Sequence, residues 1–337
     1  MVVSREAGDR PSLLKVWLVA VRPFALPAAA MPVLYGNAMA AYAAGSPFRT
    51  GLLLLTLVGV SFIALGSHVL SDVSDFRRGL DVEAGPGSGA LVRGWLTPRA
   101  ALSGAAVLFG AGILTGGVLV YLVGNPLLIV LGAAGVAIGA FYTLKPLELK
   151  YRALGDVSIF SSYGVLGTLG AWTVQTGRLS WLPVMWGVPL SLLIVAILHA
   201  NNWRDMDRDT ELGMRTVASI LGRKRSFIYY NLLVFGAYAV VAILTVLPRL
   251  IRTTLLPMPF TLLLTGASLP LAVSLSHRAR QGLAPKRLEP ELNEEREGDA
   301  RFRSLDVQTA KLSLLFGLLS TAALILAKLL QELGLHP

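Results

Sequence analysis

Residues 181–200 run for 20 positions without an Asp, Glu, Lys or Arg. An α-helix needs ~20 such residues to cross the hydrocarbon core of a bilayer. Eight more stretches read the same way, over roughly 24–44, 52–72, 100–123, 126–142, 155–176, 227–247, 255–275 and 310–330. Backbone in lipid must satisfy its own hydrogen bonds, which leaves helices or closed barrels, and these runs are too long for barrel strands. The expected fold is all-α: a polytopic integral membrane bundle of about nine transmembrane helices, occupying 1–337 as a single domain. Composition agrees, with 54% hydrophobic and 15% charged residues.

The loops set an orientation. Residues 1–23, 73–99, 143–154, 201–226 and 276–311 lie on one side and carry 25 of the 30 Lys and Arg residues. The other side holds Arg49, Arg178, Arg249, Arg252 and Lys328. Basic loops stay cytoplasmic, so the N-terminus is expected in the cytoplasm and the C-terminus outside. The net charge of +10 is then mostly topology, and the lipid bilayer, not nucleic acid, is the expected partner. Cys is absent, which excludes disulfides, and four His are too few for a histidine-built metal centre. The first apolar run is too long for a signal-peptide core and reads as a retained helix. Gly110, Gly112, Gly116, Gly132, Gly135 and Gly139 are expected to let helices pack closely. Residues 276–306 mix both charge signs with Pro285 and Pro290, and read as a polar cytoplasmic insertion without a catalytic role.

Immediately after the charge-free run comes H-A-N-N-W-R-D-M-D-R-D-T-E-L-G-M-R-T, residues 199–216. At helical spacing Asn201, Asp205 and Asp209 recur every four residues on one face. Carboxylates stacked this way repel one another unless a cation lies between them. Oxygen-only ligands suit Mg²⁺ rather than Zn²⁺, with positions left for water and substrate phosphates. The plainer alternative is a solvated acidic loop, which explains the charge but not its placement on one face at a membrane boundary.

A second cluster closes the second helix. Asp72 and Asp75 are three apart, and Asp81 follows Gly79. Both clusters fall on the same membrane side, as expected where two metal ions clamp one diphosphate. Arg93, Lys145, Lys150 and Arg215 lie in loops on that side and suit phosphate oxygens. Topology alone also accounts for basic loops, and Arg77, Arg78 and Arg223–Arg225 are assigned to it. Lys150 and Arg215, each close to an acidic motif, are assigned to the diphosphate.

These motifs resemble the UbiA superfamily of membrane prenyltransferases. The matching pieces are R-P at Arg22 and Pro23, S-D-x-x-D-x-x-x-G-x-D over 71–81, G-x-L-V-R-G over 89–94 and Y-T from Tyr142. They continue with K-Y-x-A-L-G-D over 150–156, N-N-x-R-D-x-x-x-D over 201–209 and G-x-R-T over 213–216. The Asp75-to-Asp81 spacing and the N-N-x-R-D string are most similar to the 1,4-dihydroxy-2-naphthoate polyprenyltransferase branch of menaquinone synthesis and its animal relatives. Ser71 stands where the family usually has Asn, His68 where that branch often has Asn, and Met214 where the family has Lys.

The resemblance implies Mg²⁺-dependent transfer of a polyprenyl group from an allylic diphosphate to an aromatic acceptor, here the naphthoate with loss of CO₂. The alternatives are another acceptor (4-hydroxybenzoate, homogentisate or a glycerol-phosphate lipid) or a cation-coupled membrane transporter. Carried over by position, Asp72, Asp75, Asp81, Asn201, Asp205 and Asp209 hold the metal. Lys150 and Arg215 contact diphosphate, with Lys145, Arg93 and Arg22 as further candidates. Asp72 or Asp205 takes the acceptor's proton. His68, Ser71, Tyr142, Tyr163, Asn202 and Trp203 are candidate acceptor or prenyl contacts, and Tyr142, Phe160, Tyr163 and Trp203 offer aromatic faces to an allylic cation.

Overall fold

A computed structural model describes residues 11–80, 89–251, 255–283 and 302–335. Among them run nine apolar helical segments: α1 (Leu13–Ala43), α2 (Thr50–Arg77), α3 (Pro98–Val123), α4 (Leu127–Phe141), α5 (Gly155–Thr176), α6 (Leu182–Arg204), α7 (Val217–Leu250), α8 (Phe260–Leu283) and α9 (Leu305–Glu332). All but α4 are long and apolar enough to span a bilayer. With 15 residues α4 covers about 22 Å at 1.5 Å per residue, short of the ~30 Å core.

The helices overrun their apolar cores at the polar end. Helix α2 continues five residues past Asp72 to Arg77, and α7 starts at Val217, inside the stretch expected to be loop. The start of α7 is set by Thr216, whose hydroxyl accepts from Ser219 N while Ser219 Oγ accepts from Thr216 N. Helix α1 begins at Leu13 and breaks at Arg22, which adopts φ 52°, ψ 60°. That left-handed conformation is uncommon outside glycine, and Pro23, lacking an N–H, then opens a new turn.

Helix α6 is the most enclosed element. It packs against α1, α5, α7 and α9, and contributes Trp186, Leu190, Leu193, Ile194 and Ala196 to the main core. Leucines such as Leu114, Leu122, Leu232 and Leu326 face outward instead, as lipid contact requires. Helix α5 loosens into a π-helical stretch at Phe160–Leu166, which packs on α6 while Ser162, Tyr163 and Leu166 line a cavity shared with α2, α3 and α4.

The glycines correct one expectation. Gly112 and Gly139 are close-packed, since a Cβ there would run into Ile63 and Ser67. Gly110, Gly116, Gly132 and Gly135 face open space. Gly116, Gly132 and Gly135 line an apolar cavity of about 680 Å³ between α2, α3, α4 and α5. Missing side chains here make room rather than contact.

The polar insertion is also narrower than 276–306. Residues 276–283 complete α8, and Phe302 and Asp306 pack at the start of α9. Residues 284–301 lie outside the described residues.

Candidate active site

The last two turns of α2 present Ser71, Asp72 and Asp75, and both acids are 7% exposed. Asp72 pairs with Arg22, delivered by the break in α1. Asp75 accepts from Lys150 Nζ at 2.6 Å, from Tyr151 Oη at 2.8 Å and from Ser71 Oγ at 3.4 Å. Lys150 Nζ also reaches Ser71 Oγ at 3.2 Å. The loop after α4 holds this geometry through Lys150 N donating to Tyr142 O at 2.8 Å. Burial, then the adjacent Asp75 charge, pushes the Tyr151 hydroxyl well above its ordinary range, so it stays a neutral donor.

The second motif forms where α6 ends. The sequence reading placed Asn201, Asp205 and Asp209 on one continuous helix. The helix instead stops at Arg204, Asp205 caps it, and a short helix follows at Met206–Glu211. The one-turn spacing survives because Asp205 N donates to Asn201 O at 3.1 Å and Asp209 N to Asp205 O at 2.9 Å. Asp205 is held by its neighbour Arg204 through Nε at 2.9 Å and Nη2 at 2.8 Å. Asp209 is buried and has no ion pair among the described residues. Burial, with the charges of Asp205 and Asp75 and against that of Lys150, pushes its carboxyl up to about 7.

The two motifs share one electrostatic environment, since Asp75 and Lys150 both act on Asp209. A single parallel bridge between Arg152 and Arg215 ties their loops together, with Ala153 N to Arg215 O at 2.6 Å and Arg215 N to Tyr151 O at 3.3 Å. Residues more than sixty positions apart thereby flank one polar cleft. Beside it is a pocket of about 310 Å³ lined by Arg78, Glu148, Tyr151, Arg152, Leu212 and Met214. Arg78 pairs with Glu148 and lies 4.0 Å over the Tyr151 ring.

Several sequence candidates lie elsewhere. Arg93 is exposed and stacks 4.7 Å from the Trp95 ring. Lys145 is exposed and has no ion pair among the described residues. Arg215 joins the site through its backbone while its side chain faces outward. Trp203 is a correction: it is a core residue, 1% exposed, packed on Phe302 at 5.0 Å and near Phe227 and Tyr230. Phe160 likewise packs against the main core. Asn202 is buried, His68 Nδ1 lies 3.4 Å from Val21 O, and Tyr163 lines the apolar cavity. Tyr142 lies in the fields of Asp75 and Asp156. Asp81 lies outside the described residues.

The sequence reading gave no site role to five residues found here. Tyr151 was legible as the residue after Lys150. Arg78 was assigned to topology, yet it covers Tyr151. Asp156 and His199 form a buried pair at 3.9 Å between α5 and α6. Asp306, from the start of α9, accepts from Arg204 Nη1 at 2.6 Å, and no sequence signal points to it.

Among the described residues no three His, Asp or Glu side chains close on one point to make a protein-only metal site. The donors are carboxylates, a few per motif, beside a lysine. Such a set fits Mg²⁺ shared with substrate phosphates, which commonly takes only one or two protein carboxylates.

Fold and site together define a polytopic membrane protein with a polar cleft of carboxylates and basic side chains at one end of its bundle and an apolar cavity among its helices. Residues 29–288 match the model of the UbiA prenyltransferase family, and the chain belongs to that family. It is therefore a membrane prenyltransferase, and the transporter alternative falls. A UbiA prenyltransferase domain-containing protein 1 from Danio rerio is 35% identical over 325 residues, covering 96% of this chain and 88% of the relative. An apo UbiA homologue from Aeropyrum pernix K1 shares the fold with a TM-score of 0.60 at 16% identity, covering 89% of this chain and 97% of that one. A UbiA homologue from Archaeoglobus fulgidus bound to DMAPP and Mg²⁺ aligns with a TM-score of 0.58 at 13% identity, over 92% of this chain and 99% of that one.

Proposed function

We propose that the cleft binds the diphosphate of an allylic polyprenyl donor with Mg²⁺ and transfers the prenyl group to an aromatic acceptor, 1,4-dihydroxy-2-naphthoate with loss of CO₂. The observation that carries this reading is the meeting of Asp75, Lys150 and Asp209 at one cleft. Mg²⁺, when bound, offsets the diphosphate charge and makes it a better leaving group. Asp72, Asp75, Asp205 and Asp209 would hold it, with Asn201 and Asp81 completing the two motifs. The Archaeoglobus fulgidus homologue, solved with DMAPP and Mg²⁺, supports the same ligand pair here.

Lys150 is a point charge on the Asp75 side of the cleft, and its value grows as charge moves onto the departing diphosphate. Tyr163, in the wall of the apolar cavity, offers a ring face to the allylic cation, and the cavity takes the tail. Asp72 or Asp205 takes the ring hydroxyl's proton as the acceptor ring attacks the cation; the ring–carboxylate bond then breaks to release CO₂, and the proton returns to the ring oxygen. Arg78 and Arg152 in the adjacent pocket favour an acceptor that carries a carboxylate. We infer the cytoplasmic face for the cleft from the basic loops; tags at the two termini accessible from the same side would mean an even helix count and overturn this topology.

The test is turnover of the purified full chain in vesicles with Mg²⁺, labelled prenyl diphosphates and a panel of acceptors. A prenylated 1,4-naphthalenediol is expected, with release of CO₂ and diphosphate. Faster turnover with 4-hydroxybenzoate, homogentisate or a glycerol phosphate reassigns the acceptor, and turnover undiminished in chelator removes the metal.

A further inference from the structure

Arg204 divides its guanidinium between two acids. Nε and Nη2 form a fork on Asp205, and Nη1 donates to Asp306 at 2.6 Å. Asp306 also accepts from Asn201 Nδ2 at 3.4 Å. A carboxylate only accepts hydrogen bonds, so the amide of Asn201 turns its nitrogen to Asp306 and its carbonyl oxygen away. Asp306 is thus in contact with two residues of the second motif while standing about a hundred positions later, on the first turn of α9 and beyond the span of the family match. Phe302 fastens the same end by packing against Trp203, next to Arg204 in α6.

In this arrangement Arg204 occupies both oxygens of Asp205. Each oxygen keeps a second lone pair, but a metal that engages it competes with the guanidinium and draws the carboxylate off. Arg204, about a quarter exposed, would then carry a partly desolvated charge in need of a partner. Asp306 is that partner, already at hydrogen-bond distance and only 15% exposed.

We propose that Asp306 is a positioning residue of the second motif. It retains Arg204 and the Asn201 amide nitrogen, so that the Asp205 carboxylate and the Asn201 carbonyl oxygen are released to the Mg²⁺–diphosphate. The proposal rests on the reading of the cleft given above. Without Asp306, Arg204 has only Asp205 to pair with among the described residues and competes with the metal for it.

The experiment compares the wild-type full chain with Asp306→Asn and Asp306→Glu. It reads turnover against Mg²⁺ concentration and, without turnover, the thermal shift on titrating Mg²⁺ in the presence of inorganic diphosphate. Asp306→Asn is expected to raise the Mg²⁺ midpoint in both readouts by about 10- to 100-fold, the usual loss when a partner of a metal ligand is removed. Turnover at saturating Mg²⁺ recovers most of the wild-type value, and Asp306→Glu falls between the two. An unchanged midpoint overturns the proposal, whether turnover is normal or uniformly lower at every Mg²⁺ concentration; the latter marks a purely structural contact of α9. A wild type without any Mg²⁺ response refutes the underlying reading instead, a result distinct from either.

Discussion

The two acidic motifs are similar in sequence and differ in how the fold treats them. The first, at the end of α2, is neutralised from a distance. Arg22 comes from the break in α1, and Lys150 and Tyr151 from the loop after α4. The second, at the end of α6, is neutralised by its own neighbour Arg204, which Asp306 shares, while Asp209 is buried and has no ion pair among the described residues. The first is therefore assembled by tertiary contacts and already holds a lysine suited to a substrate anion. The second holds a carboxyl whose charge is unfavourable until a cation arrives. An asymmetric pair of this kind would suit the proposed Mg²⁺–diphosphate, with phosphate oxygens toward Lys150 and the metal shared by the carboxylates of both motifs.

Removing either side tests whether both are needed. Asp75→Ala and Asp209→Ala should each lower turnover by about 10²- to 10³-fold, the range for losing a preorganised electrostatic group. Turnover within a few-fold of wild type for Asp209→Ala would break the comparison and leave the first motif as the whole site.

The next effect separates two lysines of one loop. Lys150→Ala should cost roughly 10- to 100-fold, as expected for a charged hydrogen-bonding group. Lys150→Arg should rescue in part, because a planar fork replaces a point charge. Lys145→Ala should stay near wild type, since its side chain is exposed and has no ion pair among the described residues. Equal small losses in both would reject the diphosphate role of Lys150.

A third experiment moves from the polar cleft to the cavity beside it. Gly135→Leu places a side chain where the structure has open space, so folding is retained. KM for long-chain donors should rise about tenfold while the shortest allylic donor is little affected, the scale of discrimination of an apolar pocket. Equal kinetics for both donors would remove the cavity as the tail site.

The smallest effect is in pH. Asp209 is raised from 3.8 to about 7, so the folded protein binds this proton more tightly than the unfolded chain. The unliganded protein therefore loses stability as pH rises from about 4 to about 7. Metal binding needs the ionised form, so turnover at limiting Mg²⁺ should fall a few-fold below pH 7, and excess Mg²⁺ should move that limb to lower pH. A limb insensitive to Mg²⁺ would assign the titration to another group.

By itself, the sequence determined the helical membrane class, the nine apolar segments and the positions of the acids at helix ends. Hydropathy and one-turn spacing are local properties, and a stretch such as 181–200 carries them whatever surrounds it. Lys150 and the two acidic motifs were legible for the same reason, as charges placed where charge is costly. The tertiary structure alone decided which cation meets which acid, that Trp203 is core, that Gly112 and Gly139 stand against a neighbouring helix while Gly116, Gly132 and Gly135 face open space, and that Asp306 reaches Arg204. Those outcomes depend on how helices cross in space, and a Cβ-less or charged position reads the same in sequence whether its neighbour across the bundle is near or far.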